Sequence, residues 1–327
     1  MDPTRQLIDQ WLLGIGIGAY IAAALALFAY FLMRHPLLRT IGISLAAAGC
    51  VAQFGELGAR WWMTGVWPLT NLYGSLSLFS AASVAIFLVF TARYDLAFAG
   101  GFVTTLAAIA FTYGTTWNEG YMPAVPALQS YWIKIHVPIV ITAYASFMVA
   151  FSVALIYLLK SVAESRYARR SVVGAAALSA AGPGGAANAY AISPGLETIR
   201  SGTPALDQAA AAGDATAQWL TGLPTLAKLD IMQYRIIALR WSLLALGIIT
   251  GAMWAKEAWG AYWQWDPKET AALASWIVYA IYIHLHTRPE WRGTRSTIIN
   301  VIGFASIFFC YLGVNVWIGG SLHSYKM

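Results

Sequence analysis

Charge is scarce in this chain of 327 residues: 10% are Asp, Glu, Lys or Arg, with 14 acidic residues against 20 basic ones. An ordinary soluble domain carries roughly a quarter of its residues as charges, so that class is excluded. Cysteine is scarcer still. Cys50 and Cys310 each lie inside an apolar run and far apart, which excludes a disulfide framework and any Cys-x-x-Cys redox or metal motif. Both read as small core residues. Sustained alternation of apolar and polar residues is also scarce, which argues against a membrane β-barrel.

What is abundant is apolar surface. Hydrophobic residues make up 59% of the chain, and runs of about 20 of them recur, the length that crosses a bilayer. Runs between charges and turn residues give eight candidate spans, at 11–33, 37–57, 72–91, 96–113, 135–159, 236–254, 270–284 and 298–318, of which the seventh is the shortest. Inside a bilayer each span must satisfy its own backbone hydrogen bonds, which a helix does alone. The expected fold is therefore all-α: a polytopic membrane helical bundle of about eight transmembrane helices.

Basic residues near span ends are retained on the cytoplasmic side. Connections one, three, five and seven hold thirteen Lys and Arg residues, the opposite side holds six, and Arg240 sits just inside span six. Both termini are thus expected on the outer side. The net charge of +6 reads as this topological signal and not as a nucleic-acid footprint, because the basic residues cluster at helix ends. Residues 1–10 are mixed in charge and the first apolar run is long, so no cleaved signal peptide is expected.

The organisation expected is residues 1–159 as spans one to five with outer loops, 160–235 as a flexible cytoplasmic linker, and 236–327 as spans six to eight. The linker reading rests on Ala, Gly, Ser and Pro enrichment, including Ala-Gly-Pro-Gly-Gly-Ala-Ala-Asn at 181–188. Near its end, Leu226, Leu229 and Gln233 fall at helical spacing, which suggests an interfacial helix entering span six.

Between spans six and seven runs Trp254-Ala-Lys-Glu-Ala-Trp259-Gly-Ala-Tyr262-Trp263-Gln-Trp265-Asp266-Pro267-Lys268-Glu269. Four tryptophans and a tyrosine fit either an aromatic belt in the headgroup layer or a shelf for a large flat ligand. Asp266-Pro267-Lys268-Glu269 is a helix start signal, with Asp266 as N-cap. A cap here would also fix the end of a shelf. His136 begins span five and His323 follows span eight, so three separate connections converge on the outer face. Such histidines are either interfacial structural residues or a pair able to fill both axial positions of haem iron while aromatic rings cover the porphyrin. His284 and His286 end span seven beside Arg288 and project about 200 degrees apart, so they should not share a ligand. They either snorkel or form a site within the membrane. His35, in Arg34-His35-Pro36, reads as a loop residue. The absence of Cys-x-x-Cys-His excludes covalent haem attachment to this chain.

The segment Trp259-Gly-Ala-Tyr-Trp263-Gln-Trp265-Asp266-Pro-Lys-Glu269 resembles the WWD signature of haem-handling membrane proteins, in the form carried by the CcsA (ResC) family of System II cytochrome c assembly. The resemblance continues through Arg60-Trp61 and Pro68-Leu-Thr-Asn71-Leu-Tyr73-Gly74-Ser75, through Tyr131-Trp132-Ile-Lys-Ile-His136-Val, and through Gly313-Val-Asn315 with Gly319-Gly320-Ser-Leu-His323-Ser-Tyr325. One departure is Gly74, where the family's outer loop usually reads Asn-Leu-Tyr-Glu-Ser.

The resemblance implies that haem b is bound at the outer face by His136 and His323, lies on Trp254, Trp259, Trp263, Trp265 and Asp266, and is joined to Cys-x-x-Cys-His of an apocytochrome c. It implies a bacterial plasma-membrane protein acting as a subunit of a cytochrome c haem lyase with a CcsB (ResB) membrane subunit. His284 is then the expected ligand of a second haem at membrane depth, with His286 as the alternative. Two other classes stand beside this reading: a haem-containing membrane electron carrier, and a transporter of haem or another amphipathic solute.

Overall fold

A computed structural model describes residues 3–118, 126–180 and 204–318. Each of the eight apolar runs lies in helical structure. Helices α1 (Pro3–Met33) and α2 (Pro36–Thr64) are separated by two residues. One of these, His35, is the N-cap of α2: its Nδ1 accepts the Leu37 N–H, and Pro36 follows at the first helical position. Then come α3 (Leu72–Tyr94), a 3₁₀ turn (Leu96–Ala99) and α4 (Gly100–Thr115). The second part of the chain contains α5 (Tyr131–Ala180), two short helices α6 (Pro204–Ala211) and α7 (Ala215–Gly222), α8 (Leu226–Trp259) and α9 (Pro267–His286). Last, α10 (Thr294–Phe308) continues through a π turn (Phe309–Gly313) into α11 (Val314–Trp317).

Packing divides the bundle into two halves. Helices α1 to α4 contact one another, α5 packs along α8 and against α10, and α9 lies against both α8 and α10. The α3–α5 contact joins the halves, and these two helices with α4 form the buried centre. Helices α1, α2 and α8 are peripheral and leave apolar side chains such as Leu25, Val51, Leu239 and Ile249 outward. That surface suits lipid, since burial inside the protein and contact with acyl chains are equally apolar for Leu or Ile.

Among the described residues, seven helical stretches are long and apolar enough to cross a membrane, against the eight runs read from sequence. The difference is α9. Its 20 residues span about 30 Å, a bilayer's hydrocarbon thickness, but Lys268, Glu269, His284 and His286 at its ends lower its hydropathy.

The region expected to be a linker differs at both ends. Helix α5 runs on past residue 159 as far as Ala180, through Lys, Glu, Arg and Ala, all strong helix formers. Helices α6 and α7 dock on that extension: Leu206, Ala217 and Leu220 are buried with Ala163 and Tyr167 packed against them. Buried Lys160 donates from Nζ to the carbonyls of Leu220, Leu223 and Pro224 at 2.9, 3.1 and 2.9 Å, which satisfies the open end of α7. Trp219 donates to the Phe31 carbonyl at 3.0 Å and so ties this cap to α1. Leu226, Leu229 and Gln233 belong to the first turns of α8 and form no separate element. Residues 181–203, including the glycine-rich run, lie outside the described residues.

Candidate functional site

The tryptophan-rich segment is shaped by its two flanking helices. Helix α8 stops at Gly260, whose φ of 82° is the left-handed conformation glycine adopts without cost. Helix α9 starts from the box anticipated in the sequence: Asp266 accepts the Lys268 N–H at 3.0 Å, and Glu269 Oε2 accepts from the Asp266 and Gln264 N–H groups at 3.2 and 2.9 Å. Asp266 is buried in this role. The residue before it, Trp265, has φ of 58°, a conformation disfavoured for a bulky side chain. It directly precedes the Asp266 cap, and the residue is 69% exposed.

The aromatic rings form two edge-to-face pairs. Trp263 and Trp265 have centroids 5.6 Å apart and planes at 88°, and Trp254 and Trp259 lie 5.2 Å apart at 75°. Trp254 is buried, Trp259 and Trp263 half-buried, and Tyr262 exposed. The shelf therefore grades from a buried base to an open edge.

His136 lies at the base. Its ring is parallel to that of Trp254, with an interplanar angle of 6° and centroids 6.4 Å apart. Its Nδ1 is 2.8 Å from the Gly247 carbonyl oxygen. A carbonyl only accepts, so Nδ1 carries the proton in this contact. Two glycines in Gly247-Ile-Ile-Thr-Gly251 make this approach possible: a Cβ on Gly251 would meet His136 Cε1 at 2.8 Å, and one on Gly247 would meet Val140 Cγ2 at 2.7 Å. Ser130 Oγ, donating to Glu257 Oε2 at 2.7 Å, fastens the start of α5 to the end of α8. The small-xxx-small spacing was readable in the sequence, but its link to His136 was not.

From the other side the shelf is tied to the last helices. Lys268 Nζ donates to Asn315 Oδ1 at 3.0 Å, and Asn315 Nδ2 donates to the Tyr311 carbonyl at 2.6 Å. His323, expected to follow this segment at the outer face, lies outside the described residues. The structure thus brings His136, Trp254 and Trp259 into one contact series, with Trp263, Trp265 and Asp266 on the adjoining loop.

His284 and His286 have opposite surroundings. His286 is buried, stacks on Tyr234 at 4.4 Å and 13°, and lies 3.0 Å through Nε2 from Asp230 Oδ2. Asp230 also accepts from Gly293 N–H and Ser296 Oγ, at 3.1 and 2.9 Å. This cluster locks α8, α9 and the start of α10 together. His284 is exposed on the face of α9 away from it.

The remaining resemblance segment, residues 60–75, builds a buried ionic cluster that sequence reading did not anticipate. Arg60 grips Asp9 through two hydrogen bonds, Nε to Oδ1 at 2.8 Å and Nη2 to Oδ2 at 2.6 Å, and pairs with Glu56 one turn back. Tyr73 Oη and Ser77 Oγ donate to Glu56 at 2.8 and 3.2 Å. Beside it, Gly74 has no room for a side chain, because the Pro68 carbonyl oxygen occupies the place of a Cβ.

The sequence model of the family described as Cytochrome C assembly protein matches residues 69–322. The cytochrome c biogenesis protein CcsA of Microcystis aeruginosa is 37% identical over 308 residues, covering 89% of this chain and 88% of that protein. The chain belongs to the CcsA family. The CcsA of a Synechocystis species is 34% identical over 326 residues, covering 94% of this chain and 95% of that protein. Among solved structures, the cytochrome c haem lyase CcmF has the same fold, with a TM-score of 0.58 at 12% identity over 94% of this chain and 46% of that one. For the CcsA fold, the family match begins at Leu69, so α1 and α2 lie ahead of the matched segment.

Proposed function

We propose that this CcsA protein acts in cytochrome c biogenesis by holding haem b, as substrate, at its outer face and presenting it to apocytochrome c. His136 and His323 are the axial ligands, and Trp259, Trp263 and Trp265 pack on the porphyrin. The observation that carries the reading is the state of His136. A metal-ligating histidine characteristically gives its other ring N–H to a carbonyl or carboxylate, which fixes the tautomer, and His136 Nδ1 does this with Gly247 while Trp254 holds the ring plane. Trp254 then serves the ligand, and Asp266 serves the shelf by fixing its end. Lys268 and Asn315 bring the last helices to the shelf, and His323 follows Asn315 by eight residues in sequence.

The chemistry asks little acid or base of the chain. Each thioether forms when an apocytochrome cysteine S–H adds across a haem vinyl C=C, with sulfur going to one carbon and the proton to the other. This chain supplies position, orientation and exclusion of oxidants. We propose eight crossings with α9 as the seventh, both termini outward, in a bacterial plasma membrane, and a CcsB-type subunit as partner. His284 is assigned to a second haem shared with that partner: its imidazole is exposed, whereas His286 is held by Asp230.

Cytochrome c maturation with added imidazole tests the outer site. His136→Ala and His323→Ala should each block maturation at normal protein level, with partial recovery as imidazole fills the vacant coordination position. Full maturation in both variants without imidazole would overturn the assignment.

A further inference from the structure

At the bundle end opposite the shelf, a cleft of about 810 Å³ opens between the C-terminal end of α3 and the N-terminal end of α8. That is within the range of roughly 300–1,000 Å³ typical of small-molecule sites. Phe90, Met232 and Ile236 form its apolar part. Arg39, Arg93, Lys228 and Arg235 line its polar part, and among the described lining residues Asp95 is the one acid. Asp95 is already paired, its Oδ1 lying 2.8 Å from Arg39 Nη2. The exposed Arg93, Lys228 and Arg235 therefore leave the cleft strongly positive above an apolar floor.

Retention of basic residues on one side of the membrane explains why these cations are at this end, but not why they surround a concave apolar surface. Basic pockets between transmembrane helices are suited to anionic lipid headgroups. Ile231, which also lines the cleft, is 47% exposed and the neighbouring Val89 64%, so the cleft and its surroundings are suited to acyl chains. We propose that this cleft binds one anionic phospholipid from the adjacent leaflet, its phosphate on Arg93, Lys228 and Arg235 and its acyl chain along Phe90, Met232 and Ile236. The cleft is lined from both halves of the bundle, by α3 with Arg39 of α2 and by α8, so the lipid joins the halves there.

Native mass spectrometry of the full chain in detergent, titrated with phosphatidylglycerol or phosphatidylcholine, tests this. Phosphatidylglycerol should be retained at least about tenfold more strongly than phosphatidylcholine, and glycerol phosphate, which lacks acyl chains, should not compete. The triple variant Arg93→Gln, Lys228→Gln, Arg235→Gln should lose that preference. Met232→Trp, which keeps every charge but fills the floor, should weaken phosphatidylglycerol binding by a similar factor. Equal retention of the two lipids, an unchanged preference in the triple variant, or displacement of the lipid by glycerol phosphate or by haem at equal concentration would overturn the proposal.

Discussion

The two halves of the bundle treat buried polarity in opposite ways at the shelf end. In the first half, Arg60, Asp9, Glu56, Tyr73 and Ser77 bond to one another inside α1, α2 and α3. In the second half, His136 and the tryptophans form a graded surface whose far edge, Trp265 and Tyr262, is open. A closed cluster is scaffold, because every polar atom it contributes is used within the protein. An open aromatic edge, by contrast, leaves ring surface that nothing in the described protein covers. Segments that resemble the same family motifs thus differ in kind: 60–75 is framework, and 259–269 carries the site proposed above.

Breaking the closed cluster should have the largest effect. Arg60→Ala leaves two buried carboxylates without their cation, a loss of roughly 3–5 kcal/mol for a pair of this kind. Thermal unfolding in detergent should show it as a large fall in midpoint, or protein should fail to accumulate in membranes. An Arg60→Ala protein of normal stability that fails only in maturation would move this cluster from framework to site.

His286→Ala and His284→Ala sharpen the comparison at the basic end. The first removes the group that holds Asp230 and should destabilise by about 3 kcal/mol. The second, at an exposed position, should change stability by less than about 0.5 kcal/mol while lowering haem content in the complex with a CcsB-type partner. Unfolding and haem content measured on both variants would reverse the assignment if the losses were exchanged.

Gly251→Leu addresses the shelf's base without replacing a proposed ligand. A side chain there collides with His136, and overpacking of this kind costs about 1–3 kcal/mol. The expected readout is a haem spectrum altered as in His136→Ala. Smallest in stability terms is Trp265→Ala at the exposed edge, within about 0.5 kcal/mol of wild type. Maturation should nonetheless fall, since a stacking ring contributes about 1–3 kcal/mol in comparable platforms, and imidazole should not restore it. Full maturation with Trp259, Trp263 and Trp265 all replaced would return the segment to an aromatic belt.

Helices were legible because their signals are local. Apolar runs of bilayer length and Asp266 with Glu269 at capping distance act within a few residues. Partners distant in sequence were not. Nothing near His286 announces Asp230, 56 positions away, and nothing near Arg60 announces Asp9. His35, read as a loop residue, caps α2, although histidine is not among the residues that usually mark a helix start. The chain from 160 to 222 was misleading for a different reason. Its Ala-rich composition serves flexible linkers and helices equally, and the choice at 160–180 and 204–222 is made by tertiary contacts such as Lys160 on the end of α7. The Gly74 departure became intelligible through the Pro68 carbonyl, which no sequence pattern reveals.

The central claim is that His136 supplies iron ligation from a ring held by Gly247 and Trp254. Resonance Raman and absorption spectra of the purified chain, compared with His136→Ala and His323→Ala, test it most directly. The account predicts a low-spin, bis-imidazole signature in the wild-type chain that each variant loses and that added imidazole restores. A low-spin signature unchanged in both variants would contradict it.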